Sequence, residues 1–215
     1  MKSLLVVTAA LAFLASPSLW AQKPFFLGAT AGAGSTKLSG DVPEDGSYTS
    51  KIGFSAGLIA EYAVWDDIHL SVQPSYVSRG TGLAFDVGEV DPRDSLKLTL
   101  DYFSIPMMAR FVAPGRVWFV NGGLDLGFLL SASLKNVQTE SAADVRDLLN
   151  GVDLMMIIGV GGNIRLDPAI MTLELRYGQS LLNAGSNDQL AAKAGITPRF
   201  RSTGFQFLLG VLFPL

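Results

Sequence analysis

The chain contains no cysteine and a single histidine, His69. The first absence excludes disulfides, thiol catalysis, cysteine-ligated zinc and a lipid carried on an N-terminal cysteine. The second excludes a metal site built from several histidines. Charge is also scarce. Only 16% of the 215 residues are charged, against about 25% in a soluble domain. The formal net charge is −3, which gives no electrostatic reason to expect nucleic acid. No cofactor or metal is implied by any motif. What the chain has instead is apolar surface, since 49% of it is hydrophobic.

One apolar run stands at the start. Lys2 precedes Leu4–Leu14, and Ser16, Pro17 and Ala21 follow. This order is that of a secretory signal, with cleavage expected after Ala21. The run is shorter than the roughly 20 residues of a membrane-spanning helix. Residues 1–21 are therefore read as a signal peptide, and residues 22–215 as one domain exported through the periplasm. Further on, no apolar run is long enough for a helical span, so the hydrophobicity must be arranged differently.

It alternates. Read in steps of two, the period of a strand, Phe25, Leu27, Ala29, Ala31 and Ala33 share one face, with Gly28, Thr30, Gly32 and Gly34 between them. Ile52, Phe54, Ala56, Leu58, Ala60, Tyr62 and Val64 oppose Gly53, Ser55, Gly57 and Glu61. The same pattern returns near 68–79, 117–131, 152–165, 170–178 and 204–215. Near 96–111 it breaks step. Leu96, Leu98, Leu100 and Tyr102 share a face, and then Ile105, Met107, Ala109 and Phe111 take over. Pro106 lies at the change, and proline in a sheet belongs at edges and bulges. A bulge near Ser104–Pro106 would flip the faces and keep both apolar sets outward.

These eight segments are joined by links of alternating length. "WDD", "APGR" at 113–116 and "LDPA" at 166–169 are short. The links near 37–50, 80–95, 132–150 and 179–200 are long, and "SAADVRDLLNG" at 141–151 reads as a short helix in the third. The expected fold is all-β, an eight-stranded antiparallel up-and-down transmembrane β-barrel of the outer membrane. A soluble barrel would reverse the faces. The polar faces here, rich in Gly, Ser, Thr and Asn, suit a narrow lumen better than a solvated surface. Aromatics also sit near both ends of the apolar faces: Tyr62, Trp65, Phe111, Trp118 and Phe213 by the short turns, and Phe54, Tyr76, Tyr102, Phe128 and Tyr177 by the long links. Two such girdles mark the two membrane interfaces, and outer-membrane lipid is the partner of the apolar faces.

Taken in order, "FSAGLIAEY", "HLSVQPSYVSRG", "LDYFSIPMMARF", "VNGGLDLGFLLSA" and "LELRYGQSLLN" resemble the PorT-like family of small outer-membrane β-barrels. Ser75 and Ser104 stand where such proteins often have Glu, and Leu124 where Pro is common. The resemblance implies a barrel accessory to protein secretion or surface assembly. Envelope or secretion-system proteins would then be partners through the long loops.

The candidate site is the lumen. Glu61, Arg110, Asp125, Arg165, Glu174 and Arg176 fall on inward faces, and buried charges need partners. The "LDPA" turn would set Glu174 against Gly161 and Arg176 against Gly159. His69, Ser71, Gln73, Asn121 and Asn163 line the same faces. The expected role is a polar plug in a protein that is not an enzyme. A narrow pore or a small-ligand barrel is the alternative. His69 and Ser71, two apart on one face, raise the weaker reading of a lipid A-modifying enzyme. "GVGG" at 159–162 lies within a strand and is not a nucleotide loop. The carboxylates of "DVPED" and "DVGEVDPRD" read as solvated loop charge rather than a calcium site.

Overall fold

Alternating strands must pair their backbone groups on both edges, and in this chain they do so by closing on themselves. The computed structural model describes residues 25–40, 46–85, 94–136, 139–182 and 200–215. The expected signal segment and most of the two acidic loop texts lie outside the described residues. The strands are β1 (Phe25–Gly40), β2 (Gly46–Ala63), β3 (Ile68–Val72), β4 (Ser75–Phe85), β5 (Asp94–Val112), β6 (Trp118–Asn136), β7 (Ala142–Asp144), β8 (Val152–Leu166), β9 (Ala169–Ser180) and β10 (Phe200–Pro214). β3 and β4 are two parts of one stave, parted at Gln73–Pro74. Both lie between β2 and β5, and β7 is a short flap on β6. The other strands pair antiparallel in sequence order, and β10 pairs with β1. The result is an eight-strand antiparallel ring.

Pro74 and Pro106 lie on adjacent rungs of that ring. The β3–β5 and β4–β5 registers run past them without slipping, from Val72 opposite Met107 to Ser75 opposite Ser104, which sets Pro106 opposite Gln73 and Pro74 opposite Ile105. Gln73 N–H donates to Pro106 O at 2.9 Å, and Leu58 N–H donates to Pro74 O at 2.9 Å. Both prolines lack a donor, but their carbonyls are still used.

The bulge expected at Ser104–Pro106 is therefore absent. Along β5, Leu98, Leu100, Tyr102, Ser104, Met108, Arg110 and Val112 are all buried, whereas Phe103, Met107 and Phe111 are exposed. The strand never changes step. Leu98, Leu100 and Tyr102 point inward, where they pack with Leu38, Leu129 and Ala132. Tyr102 consequently leaves the loop-side girdle, and Phe103 and Phe205 stand on the outer face instead. The bulges lie elsewhere. In β6, Ser131 faces Asp101 and Leu129 faces Tyr102, so Leu130 is the additional residue. Another irregularity falls between Ser50 and Ser55 of β2.

The strands also outrun the expected spans. β5 and β6 have 19 residues each, whereas about 9–11 cross a bilayer. Much of what reads as long loop near 37–50, 80–95 and 132–150 is strand. In these extensions the pattern inverts. Lys37, Ser39, Lys97, Ser131 and Lys135 are on the outside, and Leu38, Leu98, Leu100 and Leu129 are on the inside. The "SAADVRDLLNG" text forms β7 and a single 3-10 turn at Arg146–Leu148 rather than an α-helix. Val145 and Leu149 of this segment pack against the inner cluster.

Below that tier the outward faces are apolar, as expected. Phe54, Leu58, Leu124, Ile158, Leu175, Phe207 and Leu209 are all at least 44% exposed. Trp65, Trp118 and Phe213 flank them on the short-turn side. On the loop side Phe54 packs on Tyr76 at 5.5 Å, and Tyr177 on Phe205 at 5.0 Å. Leu209 lies mid-strand on this surface, and its neighbour Leu208 is 5% exposed inside the ring. Leu209→Arg is expected to cost about 2–4 kcal/mol for folding into lipid vesicles, well beyond Leu209→Ala. Denaturant titration in vesicles measures this. Equal stability for Leu209→Arg and wild type would mean that this face does not meet lipid.

Candidate functional site

An eight-stranded barrel is just wide enough for its inward side chains to meet across the axis. Here they meet in layers. At the short-turn end Phe26, Ile59 and Leu212 form an apolar layer, with Ile170 against it. Above it lies the first ionic group. Glu61 on β2 engages His69 Nδ1 through Oε1 at 2.6 Å and Arg110 Nη1 through Oε2 at 2.9 Å. Arg110 on β5 reaches Glu174 at 3.7 Å, and Arg176 Nε donates to Glu174 Oε1 at 2.7 Å. Arg176 Nη2 also donates to Gln73 Oε1 at 2.8 Å, and Gln73 Nε2 donates to Ser71 Oγ at 3.1 Å. Arg110 stacks over Phe119 at 4.0 Å, and the His69 ring stacks on Phe26 at 5.9 Å.

The strand register explains how such large side chains fit. Glu174 pairs with Gly161 and Arg176 with Gly159, as the "LDPA" turn implied. A Cβ at Gly161 would collide with Phe119, and one at Gly159 with Asn121 and Glu174. Space, not backbone angle, requires glycine at Gly161, where the Leu173 carbonyl also stands in the way; at Gly159 glycine leaves room for side-chain ends.

A second ionic group lies toward the loop side. Arg79 on β4 donates to Asp125 Oδ2 at 2.6 Å and to Asp153 Oδ2 at 3.3 Å. Ser104 Oγ donates to the other oxygen of Asp125, and Ser180 Oγ to the other oxygen of Asp153. Arg79 also lies over the Tyr102 ring at 5.2 Å. The apolar cluster of Leu38, Leu98, Leu100, Leu129 and Ala132 caps this group.

Arg79 and Asp153 were missing from the sequence-derived charge set. Both fall on inward faces by alternation, which was the available signal. Arg165 is the reverse case. It is exposed at the short-turn mouth and joins neither ionic group. The strand there runs past the ring's interior, so an inward parity no longer means burial. Asn163, just inside, is only part-buried, and its Nδ2 donates to Arg116 O at 3.2 Å. Glu61, His69, Ser71, Gln73, Arg110, Asn121, Asp125, Glu174 and Arg176 are all buried. Among the described residues no group of His, Asp or Glu is placed to hold a metal ion.

Comparison with known proteins bears on this architecture. The family model described as "Outer membrane protein beta-barrel domain" matches residues 20–184. The chain belongs to this family. It is thus an outer-membrane β-barrel protein, and its apolar outer faces contact lipid. No curated protein matches it in sequence. Among solved structures it is similar to Ail, the attachment invasion locus protein of Yersinia pestis, at 12% identity and a TM-score of 0.47, covering 88% of this chain and 99% of that one. It is similar to Neisserial surface protein A at 18% identity and a TM-score of 0.47, covering 88% and 96%. It is also similar to OprG from Pseudomonas aeruginosa at 10% identity and a TM-score of 0.44, covering 90% and 96%. The barrel architecture itself rests on the strand pairing described above.

The Arg79 group gives a direct test of the layered lumen. Arg79→Met leaves Asp125 and Asp153 facing each other without their cation. Breaking a buried pair costs about 3–5 kcal/mol, so the single variant is expected to lose stability on that scale. Adding Asp125→Asn and Asp153→Asn should recover much of the loss, because no buried charge is then left alone. Denaturant unfolding of the three proteins in one detergent measures it, and a fully stable single variant would mean that these groups do not form the network.

Proposed function

We propose that this outer-membrane barrel is closed to ions and is not an enzyme, and that it serves as a structural element accessory to protein secretion or surface assembly. The observation that carries the reading is the filling of the lumen. Two internal gaps, one beside Arg79 and Asp125 and one between Gln73 and Arg176, measure about 10 Å³ each. That is room for about one water apiece. An apolar layer lies beyond the second ionic group on the loop side, and Phe26, Ile59 and Leu212 pack beside the first. A steady ion current needs a continuous wet path, and this packing interrupts one several times.

The pairing of Ser71 supports the non-enzyme reading. Its Oγ accepts from Gln73 Nε2, and His69 makes its hydrogen bond to Glu61 rather than to Ser71. Both side chains face the lumen and are buried, away from any lipid substrate. The accessory role rests on the resemblance to PorT-like barrels and on the polar extensions that stand beyond the lipid-facing band.

In a planar bilayer the purified barrel is expected to show no steady conductance, only rare small openings. Photo-crosslinkers at Ala143 on the flap and at Gly115 in a short turn, used in intact cells, should yield adducts with envelope or secretion components. A steady single-channel current from the wild-type protein would replace this reading with a narrow pore. Loss of lipid A deacylation on changing both His69→Ala and Ser71→Ala would replace it with an enzyme.

A further inference from the structure

Among the described residues a larger gap lies at one end of the lumen. A cavity of about 120 Å³ lies at the short-turn mouth, lined by apolar Phe26, Val112, Ile170 and Leu212 and by the polar groups of Glu61, His69, Arg110, Arg116, Asn163 and Arg165. Its volume falls somewhat below that of the roughly 150 Å³ site that accepts a benzene ring. A ligand of about six non-hydrogen atoms fits.

The polar lining is sorted by depth and by kind. At the inner end His69 is 4% exposed, and its Nε2 has no hydrogen-bond partner. Nδ1 faces the Glu61 carboxylate at 2.6 Å and so carries a proton toward it. In the neutral ring Nε2 is then an acceptor. Asn163 Oδ1 is also buried without a partner. Its orientation follows from the amide nitrogen, which donates to Arg116 O. The lining therefore presents orphan acceptors at His69 Nε2 deep inside and at Asn163 Oδ1 nearer the mouth, with Arg110 Nε an orphan donor and Glu61 Oε2 held only by its ion pair to Arg110, and an unsatisfied buried polar group asks for an explanation. At the outer end Arg116 and Arg165 are exposed cations. The turn aspartates Asp66, Asp67 and Asp167 are not part of the lining. Glu61, which is, already faces both His69 and Arg110.

A ligand that satisfies this order has a hydroxyl donor at one end, an anionic group at the other and a short carbon skeleton between. We infer that the short-turn mouth of the barrel is a binding site for a small hydroxycarboxylate of three or four carbons. Its hydroxyl donates its one proton to His69 Nε2, and its carboxylate pairs with the Arg116 and Arg165 guanidinium groups. Arginine forks suit a carboxylate geometrically. The site is independent of the closed-lumen reading, since the apolar layer and the first ionic group form its floor.

The single histidine makes the test specific. In the full chain folded in detergent micelles, the His69 ring protons give one pair of NMR signals. They are followed at constant pH and ionic strength during titration with sodium lactate, sodium propionate, lactamide and sodium chloride. Lactate is expected to shift them saturably. Propionate, which lacks the hydroxyl, and lactamide, which lacks the charge, should bind at least about tenfold more weakly, because a buried polar group left unpaired penalises the wrong analogue. Arg165→Gln and Arg116→Gln should each weaken lactate about tenfold. Both positions are exposed, so the barrel remains intact. The proposal is overturned if lactate gives no saturable shift, which would mean a cavity that holds water only. Equal affinities for lactate, propionate and lactamide, or lactate binding unchanged in both arginine variants, would overturn it as well.

Discussion

Inside a bilayer there is no water to accept a stray backbone hydrogen bond, and each unpaired group costs several kcal/mol. Every other feature of this molecule answers to that constraint. It requires closure, which the β1–β10 pairing provides over nearly the whole length of both strands. It also explains how two prolines are accommodated within the wall. Pro74 and Pro106 fall on adjacent rungs, opposite Ile105 and Gln73, and their carbonyls still serve Leu58 and Gln73. The lost donors are thus confined to one short stretch of the wall, where the β3–β4 stave is parted.

Closure at eight strands then dictates the interior. A ring of eight strands is just wide enough for side chains to fill. Long charged residues bridge it, and glycines on the facing strand give them room, as Gly161 does for Glu174 and Gly159 for Arg176. Burying charge is tolerable only when it is paired. The inner set comprises Arg79, Arg110 and Arg176 with Glu61, Asp125, Asp153 and Glu174, and each of these side chains touches one of opposite sign. The acids exceed the arginines by one, and the His69 ring sits against Glu61.

Period-two alternation carried most of this in the sequence. It separated the inward from the outward residues of β1, β2, β3, β8, β9 and β10, and the short turns fixed the Glu174 and Arg176 partners. What alternation cannot say is which face is wet, because that depends on height along the barrel. Leu98, Leu100 and Tyr102 were assigned to lipid on the premise that apolar means outward. That premise holds only where hydrocarbon surrounds the wall. The bulge inferred at Ser104–Pro106 was a consequence of the same premise. Arg79 and Asp153 share the inward parity of the charge set, but parity alone does not tell which charges meet across the ring. The orphan acceptors of His69 and Asn163 have no sequence signal at all. They follow from which atoms meet across the ring.

The inverted tier beyond the loop-side aromatics gives the molecule two different sources of cohesion. Lipid tails are as apolar as leucine, so burying leucine inside the lipid-embedded wall gains little from solvent. There the backbone ladder and the ion pairs must hold the staves. The tier of Leu38, Leu98, Leu100, Leu129 and Ala132 stands in water, and its association is driven by water. That driving force fades on cooling. The tier also carries the apolar contribution to the heat capacity of unfolding. Cold therefore loosens the cap while leaving the wall in place, and warming toward physiological temperature seals it.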